Sequence, residues 1–387
     1  MPAKEAKKGK AAAKQASGPN KLDERFRAKC ELLVVGVGTI GEPLTRLLLD
    51  HRDELGLCDV YFAKFTPTDL GTAKLLSDLG GKFCVWSNTL PHFENAFPKA
   101  GVPIHDTIEN VLKKVSIVAD CTNRGNELKD EYYVHANNPI GFLAQGSEEG
   151  FGHPYAYGVN DATLQAGEHR FLQVVSCNTH NILAVLRLAR SLGEIEAADF
   201  VLARRMNDIS QSGKSIPAPS VDRVSMEKYP GWGSHQAFDA ARVMRTLGVE
   251  LQNKIHSTAL KLDNQLMHLN RFQVRIKNKI TYDELVNAAL GDPLLSISHL
   301  RDMNLVFSKG RDHGYAGRIF NQAVVIKDSL EVSPDGRTIY GICFTPQDGN
   351  SLLTSAAAIL WFLDPQGYQK KLAPIKKYLD RFHVIYA

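Results

Sequence analysis

The chain has 387 residues, 44% apolar and 23% charged, the composition of an ordinary globular protein too long for one typical core. It has no run of 18 or more apolar residues, the length a membrane-spanning helix needs. Residues 1–29 hold nine Lys/Arg against three Asp/Glu, so the net +4 leaves about 4 − 6 = −2 for the remainder, a body with no basic bias.

That first segment is rich in Lys, Ala and Gly and poor in aromatics up to Phe26. It lacks the apolar centre of a secretory signal and reads as a basic, disordered tail; a tether to nucleic acid or an anionic surface is the alternative. Six cysteines (30, 58, 84, 121, 177, 343) are scattered without a CxxC spacing. This fits a reducing compartment and argues against a disulfide framework or a zinc site.

A strand predicted over 32–35 runs into Gly36-x-Gly38-x-x-Gly41, followed by a helix with Leu44, Leu47 and Leu48 on one side. Such glycines permit a tight turn, close approach to a pyrophosphate, and helix–strand contact, so the stretch reads as dinucleotide-binding; a purely structural turn is the alternative. The next strand, 58–63, ends in Lys64 and Thr66 with no carboxylate. A lysine and a hydroxyl suit a 2′-phosphate, which favours NADP or tolerance of both cofactors.

Alternation continues with a helix over 69–79, a strand at 82–85, a helix over 91–99 and a strand at 102–104. A helix capped by Asp106 leads to a strand at 116–122, and a helix over 127–136 to a strand at 140–144. This pattern gives a doubly wound, mostly parallel sheet. Ligands gather at the carboxyl ends of its strands, where Thr122, Asn123, Gln145, Gly146 and Ser147 fall.

An apolar strand at 171–175 is followed by Ser176 and Cys177, and from Asn178 the spacing is helical through Ile182, Leu183, Leu186 and Ala189. Cys177 therefore sits at the mouth of a helix, where unpaired N–H groups and the helix dipole favour a thiolate, the nucleophilic form. The plain alternative is a buried structural cysteine. Beyond it, a strand at 198–205 ends in Arg204-Arg205. A long loop with Lys214, Pro217 and Pro219 reaches Gly231-Trp-Gly-Ser-His235. Strands at 255–262, 266–276, 322–327 and 338–344 with a helix over 281–290 read as a mainly antiparallel sheet with helices to one side. A last helix, from about Ser351, returns to the first domain. His268 lies in one of these strands; a thiolate needs a base or cation partner, although spacing alone does not bring the two together.

The segments Val37-Gly-Thr-Ile-Gly41, Ala119-Asp-Cys-Thr122, Gln145-Gly146, Val174-Val-Ser-Cys-Asn-Thr179, Arg204-Arg205, Ser234-His235, Leu266-Met-His268 and Gln347 are collinear with the archaeal-type (type II) glyceraldehyde-3-phosphate dehydrogenases. The chain resembles that family over nearly everything after the tail. The resemblance implies Cys177 as nucleophile and His268 as general base. It implies cofactor contacts from Thr39, Ile40, Lys64, Ser147, Arg205 and Gln347 beside Gly36, Gly38 and Gly41. It implies substrate contacts from Ser176, Asn178, Thr179, His235 and Gln236. The implied activity is oxidation of a phosphorylated aldehyde with NADP or NAD and inorganic phosphate, in a cytoplasmic homotetramer. Departures are His180-Asn181 where the family has Thr-Gly, Ser147-Glu148-Glu149 where it has Gly-Glu-Lys, Gln236 in place of a second histidine, and insertions at 150–154 and before Trp232. His180, three residues from the nucleophile, is a candidate to contact substrate or tune the thiolate.

The expected fold class is α/β, a Rossmann-type doubly wound parallel sheet plus an α+β catalytic domain with a mainly antiparallel sheet. The expected division is a tail (1–29), an NAD(P)-binding domain (30–176), a catalytic domain (177–350) and C-terminal helices packing back on the first (351–387). No metal and no membrane are expected, and nucleic acid only through the tail. Two alternatives stay open: an aspartate-semialdehyde or acyl-phosphate reductase, and a non-catalytic NAD(P)-binding homologue.

Overall fold

A computed structural model describes residues 30–206, 219–221, 227–346 and 349–386. The predicted tail, the middle of the long loop with Lys214 and Pro217, and Gln347 lie outside the described residues.

Sheet A contains β1 (Leu32–Val35), β2 (Val60–Ala63), β3 (Lys82–Val85), β4 (Asp106–Thr107), β5 (Ile117–Asp120), β6 (Gly141–Gln145), β7 (His153–Tyr155) and β8 (Phe171–Val174). Every pairing is parallel, in the order β4-β3-β2-β1-β5-β6-β8-β7. Strands buried on both faces read as continuous apolar runs, as Leu-Leu-Val-Val in β1 and Ile-Val-Ala in β5 do. From β1 the chain winds outward through β2 to one edge, then returns to β5 on the other side. The switch falls between β1 and β5, where such sheets open a crevice at their carboxyl ends.

Sheet B follows, with β9 (Ile195–Arg204), β10 (Ser220–Val221), β11 (Ile255–Lys261), β12 (His268–Ile276), β13 (Leu295–Ser298), β14 (Ala323–Ile326), β15 (Glu331–Val332), β16 (Thr338–Thr345) and β17 (Val384–Ile385). It is mixed: β9–β11, β13–β14 and β13–β17 are parallel, and the other pairs are antiparallel. Its long strands alternate, as in β12, where His268, Asn270, Phe272, Val274 and Ile276 are buried and the residues between are half-exposed.

The helices that position the cleft are α1 (Gly41–Asp50), α2 (Leu70–Asp78), α3 (Gly125–Glu131), α4 (Cys177–Leu192), α5 (His235–Thr246), α6 (Tyr282–Leu290) and α7 (Gly349–Leu363). α4 and α5 pack with the inner face of sheet B, while Leu352, Leu353 and Ala356–Phe362 of α7 join the core of sheet A and α1. No helix among the described residues is long and apolar enough to cross a membrane.

Local expectations needed correction in four places. The helix expected over 91–99 is two turns, Leu90–Phe93 and Ala96–Lys99, because Pro98 cannot donate within a helix interior and is tolerated only in a first turn. The strand expected at 102–104 pairs only from Asp106, since Pro103 has no N–H for a ladder. Thr107, not Asp106, takes the cap position of the short helix Ile108–Val111, and Asp106 instead accepts from Thr107 N (2.9 Å) and Lys114 Nζ (2.6 Å). Finally, Cys30 and Cys58 form a disulfide. Leu32 is opposite Val60 in the parallel ladder, which brings the residues two positions earlier on each strand side by side.

Candidate active site

The glycine turn is built for close contact on one side and open space on the other. Gly36 adopts φ +85°, where a side chain is strained, and a Cβ there would stand 2.6 Å from Thr122 Cγ2. A Cβ on Gly41 would collide with the carbonyl oxygen of Gly36, whereas one on Gly38 would meet nothing within 4 Å. The backbone of Gly38 and Thr39 thus borders free space, which fits the approach of a dinucleotide. Lys64, at the end of β2, is buried beside this turn; burial lowers its pKa, while Asp69 at 3.9 Å acts the other way.

Cys177 is the first residue of α4. Ser176 before it has extended backbone (ψ 160°), and its hydroxyl oxygen accepts from Thr179 N at 3.3 Å, capping the helix. The helix is locked in place by buried amides. Asn270 Nδ2 donates to Asn181 Oδ1 (2.7 Å), Asn181 Nδ2 to Phe344 O (3.3 Å), and Thr345 Oγ1 to Asn178 Oδ1 (3.1 Å). Thr345 is the register partner of His268, so the end of β12 that carries His268 lies by the first turn of α4.

His268 is buried, and its Nδ1 accepts from Arg205 N at 2.9 Å. Burial, then the charges of Arg204 and Arg205, hold its pKa well below the usual imidazole range. A neutral ring with Nδ1 accepting carries its proton on Nε2, so His268 rests as a donor there; acting as a base requires the other tautomer.

One cleft of about 860 Å³ brings these parts together. Gly36, Gly38, Thr39, Ile40, Lys64, Ser147, Ser176, Cys177, Asn178, Arg205, His235, Gln236 and His268 all line it. Gly41 and Thr179 do not: Gly41 packs under the turn, and Thr179 is buried against Ser176, its Oγ1 2.9 Å from Ser176 Oγ. The described lining includes Lys64, Arg204, Arg205 and Lys261, and no Asp or Glu. Among the described residues no group of three or more His, Cys, Asp or Glu is arranged to hold a metal ion.

His180 turns away from the cleft. It is buried, its Nδ1–H donates to Ser176 O (3.0 Å), and its Nε2 accepts from the hydroxyl of Thr354 on α7 (2.7 Å). Burial pushes its pKa down to about 4. The family-position change at Glu149 is likewise absorbed structurally, since Glu149 Oε2 accepts from Tyr229 OH at 3.2 Å. Sequence reasoning missed Lys261, although it closes a predicted strand. It also missed Asn350, whose Nδ2 donates to Cys177 O at 2.9 Å from a residue 173 positions away. No local pattern signals that bond.

A parallel sheet with a glycine turn at its switch point, opening on a cleft whose described lining holds no Asp or Glu, with a cysteine at a helix mouth, is that of an oxidoreductase using a nicotinamide dinucleotide. No protein-family model matches the chain. It is 26% identical to a glyceraldehyde-3-phosphate dehydrogenase of Pyrobaculum neutrophilum over 319 residues, covering 79% of this chain and 84% of that one. It is 24% identical to that of Methanocaldococcus jannaschii over 316 residues (78% and 85%), and 30% identical to one of Methanosarcina barkeri over 195 residues (50% and 53%). The chain is a relative of the archaeal-type glyceraldehyde-3-phosphate dehydrogenases.

Proposed function

We propose that the protein oxidises D-glyceraldehyde 3-phosphate with NAD(P)+ and phosphate to 1,3-bisphosphoglycerate, or runs the reverse, through a thioester on Cys177. The observation that carries this reading is Cys177 at the mouth of α4, sharing one cleft with His268, the glycine turn and the cations Lys64, Arg204, Arg205 and Lys261.

The thiolate, favoured by first-turn N–H groups, attacks the aldehyde carbon and forms a carbon–sulfur bond. The carbonyl electron pair moves to oxygen, and His268 holds that oxyanion through Nε2–H. The nicotinamide supplies the acceptor for the hydride on that carbon. The product on the protein is an acyl thioester of Cys177. Inorganic phosphate then attacks the acyl carbon, and the thiolate leaves. Arg205, His235, Gln236, Ser176 and Asn178 are read as holding the substrate and the nicotinamide end of the cofactor. Lys64 is read as the contact to a 2′-phosphate, which favours NADP. Gln347 is carried as a cofactor contact on the resemblance alone. We read residues 30–176 as the cofactor domain, 177–350 as the catalytic domain and 351–387 as its return, in a cytoplasmic homotetramer.

Purified protein given the aldehyde, phosphate and either NADP or NAD, with Cys177→Ala beside it, tests the reading through the absorbance of the reduced nicotinamide. Phosphate-dependent reduction lost in the variant, with cofactor binding kept, is expected. Absence of reduction in the unaltered protein, or full turnover in Cys177→Ala, would overturn it.

A further inference from the structure

β8 brings a buried amide to the edge of the cleft. Leu172 and Val174 join the core shared by α1 and α7, so Gln173 between them turns to the other face of sheet A, where it is fully buried. Its Nε2 donates to Gly146 O at 3.1 Å, and its Oε1 accepts from Arg242 Nη1 at 2.7 Å. Arg242 Nη1 also donates to Asp239 Oδ1 at 3.2 Å. A guanidinium has donors only, so Arg242 can meet only the oxygen of the amide. That fixes which way the Gln173 side chain is turned and leaves its N–H for Gly146.

Both ends of this relay reach residues of the cleft. Gly146 follows β6, adopts φ +80° and lines the cleft beside Ser147. β8 grips it twice: its N–H donates to Val174 O at 2.8 Å, and its C=O accepts from Gln173. In a trans peptide the C=O and the N–H point opposite ways, so a carbonyl turned to Gln173 turns the Ser147 N–H away from it. Among the described residues no backbone carbonyl accepts from that N–H. At the other end, Asp239 and Arg242 lie four and seven residues after His235, on one side of α5, and His235 and Gln236 line the cleft.

A dinucleotide crosses such a sheet with one mononucleotide half on each side of the switch point. The glycine turn and β2 lie on the adenosine side; β6 lies on the opposite side, beyond β5. The Gly146–Ser147 peptide is therefore at the nicotinamide end.

We propose that Gln173 is a positioning residue for the nicotinamide half of the cofactor: it holds the Gly146 carbonyl so that the Ser147 N–H is presented to the cleft, and Arg242 holds Gln173 in the orientation that does so. The same bonds tie this peptide to α5, the helix that opens with His235 and Gln236. The inference deepens the proposed function and rests on the reading of Ser147 as a cofactor contact, but its test needs no turnover.

Each protein is titrated by calorimetry with NADPH or NADH, whichever the unaltered protein binds more tightly. The second probe is ADP-ribose, carrying the 2′-phosphate where NADPH is used, which lacks the nicotinamide. Gln173→Met is close in volume and makes neither bond. It is expected to weaken the dinucleotide about fivefold, the worth of one hydrogen bond, and to leave the ADP-ribose probe nearly unchanged. Arg242→Met keeps Gln173 but frees its amide to turn to Asp239, and should show the same selective loss. The double variant should match Gln173→Met, because both side chains act through one carbonyl. A merely structural role weakens both probes alike. That result overturns the proposal, as do an unchanged dinucleotide affinity in Gln173→Met and losses that add in the double variant. Failure of the proposed reaction is seen separately, in the aldehyde assay.

Discussion

Asn270 and Asn181 share a buried hydrogen bond of 2.7 Å, and this contact sets the register of β12 against α4. Four residues back along the helix is Cys177; two residues back along the strand is His268. A four-residue helical step and a two-residue strand step are each roughly 6–7 Å, so the Cys177 thiol and the His268 imidazole travel together from that bond. In Asn270→Ala the carbonyl of Asn181 keeps Cys343 Sγ–H (3.1 Å) and loses the amide. Expected are a loss of about 1–3 kcal/mol in urea denaturation and a fall in kcat larger than any change in KM. An unaltered kcat would count against this bond as the aligner of the two groups.

The glycine turn separates folding from binding. Gly38→Ala adds a methyl group into open space, so Tm should hold while cofactor affinity, measured by fluorescence titration, drops. Gly41→Ala drives a methyl group into the carbonyl of Gly36 and should lower Tm in the absence of any cofactor.

Lys64 is a buried cation whose nearest carboxylate, Asp69, stands 3.9 Å away. Lys64→Ala should raise KM for NADP by about tenfold or more, and change KM for NAD far less. Asp69 also caps α2, its Oδ1 accepting from Thr72 N at 3.2 Å. Asp69→Asn keeps that acceptor, removes the charge, and should shift the ratio of kcat/KM toward NADP.

His180 links pH to stability. Its pKa in the fold, about 4, is below the usual 6.5, so its contribution is present above pH 6.5 and is lost as the pH falls toward 4. Protonation takes away the lone pair that accepts from Thr354. His180→Gln should be less stable at neutral pH by about 1–3 kcal/mol, yet lose less Tm than the unaltered protein between pH 6.5 and 4. Equal acid losses in the two proteins would remove His180 from the account.

What was legible in the sequence was local. The glycine turn, the strand ending at Val174 and the helix opening at Cys177 are contiguous, and their apolar spacing is strong. α5 escaped notice because its buried face opens with Gln236, Ala237, Asp239, Ala240 and Ala241, small or polar residues, and only Val243 and Met244 near its end are large and apolar, which gives a short apolar stripe. β7, which begins in the stretch 150–154 read as an insertion, is three residues long, too short for a periodic signal. The disulfide and the role of His180 depend on neighbours supplied by a parallel ladder and by a helix 174 positions away. His180 drew attention by its nearness to Cys177 in sequence, but residues three apart on a helix need not serve the same surface.

The polar stripe of α7 ties function to the order in which the chain is made. Asn350 holds the carbonyl of Cys177, Thr354 holds His180, and Ser355 Oγ accepts from Gln145 Nε2 at the end of β6. A growing polypeptide that has not reached these positions already contains α4 and most of both sheets, but not the side chains that anchor the helix's first turn. The Cys177 thiol should therefore be set in its final orientation only late in synthesis, and a nascent chain or a truncation before residue 350 should carry an unanchored Cys177.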